Sequence, residues 1–107
     1  LSDPNLNYIK ELSGGDVEFE KKIVTILKEE LPVEIHAYFK HFRNQDFIKT
    51  AEIVHKIKHK ISILGLEKGC QIANLYEQKL REEKTEGNQR FEILLEQMTL
   101  FLKKVTL

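Results

Sequence analysis

Apolar residues recur at steps of three and four along most of the chain, the spacing that lines one face of an α-helix. From Phe19 they run through Ile23, Ile26, Leu27, Leu31, Ile35, Tyr38, Phe39 and Phe42. This predicts one long helix, opened by Asp16 as N-cap after a stop at Ser13-Gly14-Gly15. Pro32 falls inside it, but the stripe keeps its phase on both sides, so a kink is expected and not a break. Upstream, Asp3-Pro4 has the form of a cap and first helical residue, predicting a short helix that reaches about Leu12. After a turn at Arg43-Asn44-Gln45, Asp46 should cap a third helix over about 47–64, with Phe47, Thr50, Val54, Ile57, Ile61 and Leu64 inward. Gly65 allows a sharp turn into a fourth helix that carries Leu66, Ile72, Ala73, Tyr76 and Leu80 inward. Beyond a loop-like stretch at Lys84-Thr85-Glu86-Gly87-Asn88-Gln89, the last helix buries Phe91, Leu94, Leu95, Met98, Phe101, Leu102 and Val105. Four helices of about 15 to 27 residues joined by short turns predict an all-α fold, an antiparallel up-down four-helix bundle with the short additional N-terminal helix over one end.

Composition narrows the function classes. The chain has 107 residues, two prolines and five glycines, which suits one helical domain over residues 1–107 with no internal repeat. Its single cysteine, Cys70, excludes an internal disulfide and cysteine-based zinc sites and suits a reducing, cytoplasmic setting. Lys and Arg total 17, as do Asp and Glu, so the field that draws basic domains to nucleic acid or anionic lipid is missing, and neither is expected as a partner. No apolar run approaches a bilayer span, and LSDPNLNYIKEL has neither the basic nor the apolar region of a signal peptide.

Candidate chemistry lies on the outside of the third helix. Residues spaced by about 100° bring His55, Lys58, His59 and Ser62 to one face, with Glu52, Ile48 and Leu66 along the same line and the core strip turned away. A histidine there should be accessible to solvent. Lys58, one turn on, can disfavour imidazolium and leave a neutral ring nitrogen as nucleophile, and it can neutralise a phosphoryl group carried by that ring.

The stretch VHKIKHKISILGL, Val54 to Leu66, resembles the signature of histidine-containing phosphotransfer (HPt) domains, with the active histidine, an apolar residue two on, a lysine three on and a glycine ten on. His55, Ile57, Lys58 and Gly65 occupy those places. Gly14-Gly15-Asp16 is similar to the break before the family's second helix, Pro32 to the proline often found in that helix, and Tyr76-Glu77 stands where the family tends to have leucine and glutamate. The resemblance implies a phosphocarrier in a two-component relay, with no ATP site of its own and so not an autonomous enzyme. His55 would accept a phosphoryl group from the aspartyl phosphate of one receiver domain and pass it to another, with Mg²⁺ supplied by the receiver. It further implies Lys58 for charge stabilisation, Ser62 as hydrogen-bond donor to a phosphoryl oxygen, and Ile48, Glu52, His59 and Leu66 as docking surface. The implied partners are receiver domains of response regulators and hybrid sensor kinases, met by a monomer.

The sequence departs from the family at the fourth position after the histidine, usually glycine and here His59, and at the next, Lys60. The alternative is therefore a non-catalytic receiver-binding module in which His59 blocks approach. Gly69, where an apolar residue is common, suggests looser packing in the fourth helix. His55 and His59 have the i, i+4 spacing of helical metal sites, but lysines stand where that motif places its base, no third ligand is legible, and Lys56, Lys58 and Lys60 oppose a cation. No metal site is expected. His36 and His41 are expected to be solvated surface residues, Lys56 and Lys60 to lie on a solvated face, and Cys70 to pack at a helix interface.

Overall fold

The computed structural model describes residues 3–106. Among them are five helices and no strand: α1 (Asn7–Ser13), α2 (Val17–Arg43), α3 (Phe47–Ile63), α4 (Glu67–Arg81) and α5 (Asn88–Lys104). α3 packs against α2 and α4, α5 packs against the same two helices, and α1 lies on α2. No helix among the described residues is long and apolar enough to cross a membrane.

The caps work as the sequence predicts at two of the starts. Asp16 Oδ1 accepts from the Phe19 amide and Asp46 Oδ1 from the Lys49 amide, each at 3.1 Å, satisfying donors that the first turn leaves free. α1 begins later than Asp3-Pro4 suggests. The Asn5 amide donates to the Leu64 carbonyl at 2.9 Å, and its Oδ1 accepts from the Asn7 amide at 3.0 Å. The leading segment is thus held across the α3–α4 turn instead of being wound into a helix. Gly65 makes this possible: its φ is +76°, and a Cβ there would stand 2.7 Å from Asn5 Nδ2.

α2 continues unbroken through Pro32. Its buried stripe is Val24, Leu27, Leu31 and Tyr38, with Ile23, Ile35, Phe39 and Phe42 partly covered. Phe19 and Ile26, expected inward, are exposed. For Phe19 the reason is length: 27 residues make a helix of about 40 Å, whereas 17-residue neighbours give about 25 Å, and only the short α1 covers the remainder; Ile26 lies beside the buried Val24 and Leu27 in sequence but is turned off their face. On α3, Thr50, Ala51, Val54, Ile57 and Ile61 are fully buried, and so is Leu64 just past its end.

Tyr38, Tyr76 and Phe91 fill the space between α2, α4 and α5. The two phenol oxygens stand 2.6 Å apart, and Tyr38 also donates to Glu92 Oε2 at 2.8 Å. Burial pushes both phenols up, Tyr76 to about 12. Gly69 corrects the expectation of loose packing. A Cβ there would sit 3.0 Å from both Ile61 Cγ2 and Leu94 Cδ1, so the missing side chain lets α4 approach its neighbours closely.

Candidate functional site

α3 carries its apolar residues on the sides that meet α2 and α4, leaving His55 at the outer margin of the α3–α4 contact with half of its side chain exposed. Facing it, α4 buries Ala73, Tyr76 and Leu80, and the residue after Tyr76, Glu77, is thereby carried to the edge of the same contact. Its side chain is only 11% exposed.

Glu77 organises the site. Oε1 lies 3.1 Å from His55 Nδ1 and accepts from Lys58 Nζ at 3.2 Å. Oε2 accepts from Arg81 Nε at 3.2 Å and from a terminal guanidinium nitrogen at 2.9 Å. Lys58 Nζ also donates to Asn74 Oδ1 at 3.3 Å. Burial pushes the Glu77 carboxyl up, but the hydrogen bonds from Arg81, Lys58 and His55 together outweigh it and hold the group below its ordinary value. An ionised carboxylate only accepts, so His55 Nδ1 carries a proton and, in the neutral ring, the lone pair sits on Nε2. Nε2 has no hydrogen-bond partner among the described residues.

The structure brings His55 and Lys58 together through one shared carboxylate. His59 stands beside them, its ring 5.2 Å from the His55 ring, centre to centre, and at 88° to it. Glu52 and Ile48 are exposed on the same side of α3. Ser62 is not brought to His55. Seven residues on, it lies about 10 Å farther along the axis, near Cys70, whose thiol faces the Lys58 carbonyl at 4.0 Å. Burial pushes that thiol up, against smaller opposing effects of Ser62 and Lys58.

Leu66 corrects the sequence expectation of a docking residue. It is 3% exposed. α3 ends at Ile63, and the positive φ of Gly65 redirects the chain, so the helical wheel that placed Leu66 on the His55 face no longer applies. Lys60 is corrected as well. Instead of lying on a solvated face, it is buried toward α2, with Nζ 2.9 Å from both Glu30 Oε1 and Glu34 Oε2.

Sequence reasoning placed Glu77 only by resemblance and gave it no role, and it passed over Asn74 and Arg81. A signal was present in the periodicity. Glu77 lies four residues after Ala73, one after Tyr76 and three before Leu80, on the flank of a buried stripe, with Arg81 one turn on to neutralise it. Among the described residues, no group of three or more His, Cys, Asp or Glu is placed to hold a metal ion. Comparisons with protein families, with curated proteins and with solved structures find no match to this chain.

Proposed function

We propose that the chain is a phosphohistidine carrier of the HPt type, a single cytoplasmic, monomeric domain in which α2 to α5 form an antiparallel up-down four-helix bundle. Phosphoryl groups would arrive from the aspartyl phosphate of one receiver domain and leave to the aspartate of another. The observation that carries this reading is the Nδ1 of a half-exposed histidine lying 3.1 Å from a nearly buried, ion-paired carboxylate, a partner that calls for the proton on Nδ1 and leaves Nε2 as the free lone pair. In the transfer step Nε2 attacks phosphorus in line, an N–P bond forms as the acyl-phosphate O–P bond breaks, and the carboxylate stays with the receiver. The ring becomes cationic as Nε2 is phosphorylated, and Glu77 faces the N–H that shares this charge. Lys58 lies on the same face to offset the negative oxygens. The receiver supplies Mg²⁺ and its own lysine, and this domain supplies position.

The test is transfer of radiolabel from a phosphorylated receiver domain to the purified chain. Acid-labile label should appear on the wild type, vanish in His55→Gln and persist at least in part in His59→Gln. Label lost only in His59→Gln would reassign the site to that imidazole. The His59 ring beside His55 favours one competing reading, a receiver-binding module that carries no phosphate. Stable receiver binding with no label on any variant would establish it.

A further inference from the structure

The two imidazoles on the outer face of α3 carry a second implication. Histidines at i and i+4 on one helix face are the ligand pair around which helical zinc sites are built. A Zn²⁺ bound to two ring nitrogens at about 2.1 Å lies roughly 3.2 Å from each ring centre, and a tetrahedral angle then puts the centres about 5 Å apart. The His55 and His59 ring centres are 5.2 Å apart. His55 is also held as zinc-ligating histidines generally are, with Nδ1–H given to a carboxylate, Glu77 Oε1 at 3.1 Å, and the other nitrogen left to a metal.

Two of the lysines that the sequence sets against a cation are paired with acids, Lys58 within the site, where Glu77 offsets its charge, and Lys60 away from it. Lys58 Nζ sits on Glu77 and Asn74, and Lys60 turns inward to Glu30 and Glu34. Only Lys56 of the three is an exposed side chain, and it lies about 100° around the helix from His55.

We propose that His55 and His59 form a two-histidine site for an imidazole-seeking divalent cation, Zn²⁺, with water in the remaining positions. No third His, Cys or carboxylate ligand joins them among the described residues, so the site is open and exchangeable, unlike a closed structural zinc centre. Binding itself does not depend on the phosphocarrier reading. Its consequence does: if Nε2 of His55 accepts phosphate, zinc and the phosphoryl group compete for one lone pair, and zinc inhibits acceptance.

Calorimetric titration of the intact chain with Zn²⁺ alone, and with Ni²⁺ alone while the imidazole proton resonances are followed, tests the site. The expected result is one cation per chain, unchanged in His36→Gln. In both His55→Gln and His59→Gln the affinity should fall by at least the about ten-fold that losing even an outer-shell partner costs. Both residues face solvent, and circular dichroism verifies that the variants fold. Saturable binding that survives His59→Gln, binding lost in His36→Gln, or no saturable binding overturns the proposal. A wild-type chain that binds zinc in this way yet never takes up label keeps the site and removes the phosphocarrier reading; a chain that takes up label without binding zinc does the reverse.

Discussion

α3 bears a charged cluster on each side, and the two are built in opposite senses. Toward α2, one ammonium, Lys60, is held by two carboxylates, Glu30 and Glu34, and its side chain is 10% exposed. Toward α4, one carboxylate, Glu77, is held by three cationic or protonated groups, Arg81, Lys58 and His55, and two of these, His55 and Arg81, are about half in solvent. The first cluster closes on Lys60 between two helices, with Glu34 mostly covered, one of its oxygens unpaired, and Glu30 half in solvent. The second presents one of its members outward with a nitrogen unpaired. Each cluster thus has a half-exposed member, and what separates them is the chemistry of that member: a carboxylate already bound to an ammonium on one side, an imidazole with an unpaired ring nitrogen on the other.

The sharpest way to break this contrast is to remove each central charge. Lys60→Ala leaves Glu34 with no cation in a site where its other oxygen already lacks a partner, and should cost about 2 kcal/mol in stability by denaturant unfolding. Label transfer should be unaffected. Glu77→Gln should do the opposite, slowing phosphoryl acceptance by His55 about ten-fold, or about 1.4 kcal/mol, through loss of the fixed tautomer, with a smaller loss of stability. If Lys60→Ala slows transfer as much as Glu77→Gln does, the division fails.

The clusters should also fail at opposite ends of the pH scale. Glu77 is held below its ordinary value of 4.5 in the fold, so its contribution is present above that value and is lost as pH falls through the folded one. Lys60 is lowered by burial but raised more by Glu34 and Glu30, ending above 10.5. Its contribution is complete below 10.5 and is lost as pH rises through the higher folded value. Thermal unfolding across pH should show the gap between wild type and Glu77→Gln closing in acid, and the gap for Lys60→Met closing in alkali. The smallest effect is expected at Lys58, whose partly exposed pair is worth about 1 kcal/mol or less. Lys58→Ala should leave melting nearly unchanged while slowing transfer or shortening the life of phosphohistidine, and unchanged transfer would take Lys58 out of the mechanism.

Much of the fold is legible in the periodicity because burial dominates it. The α3 strip, the α5 stripe and the caps at Asp16 and Asp46 all follow from local spacing and side-chain chemistry. Two kinds of information lie outside that reach. One is where a helical wheel ceases to apply: Leu66 falls on the docking face only if α3 continues past Gly65, and α1 begins at Asp3 only if Asn5 is not tied to Leu64. The other is pairing between helices. Lys60 and Glu34 are far apart in sequence, as are His55 and Glu77, and no local pattern tells a lysine bound for a buried acid from one bound for water. At the candidate site His55 and Lys58 stand out by spacing, whereas Glu77, the residue that joins them, depends on how α4 sits against α3.

The two clusters have a dynamic consequence for α3. A helix can shift along its axis relative to its neighbours, in steps of about 5.4 Å when one turn replaces another. α3 is tied laterally on both sides, by Lys60 to α2 and through Glu77 to α4, and any such slip would separate ions at both. The imidazole of His55 rests on the same Glu77 oxygen at 3.1 Å, so the carboxylate that ties α3 to α4 also sets the orientation of the ring. On the phosphocarrier reading, a partner would meet a ring and a backbone that keep register together, and the pace of exchange would be set by the encounter and the chemistry and not by rearrangement of the helices.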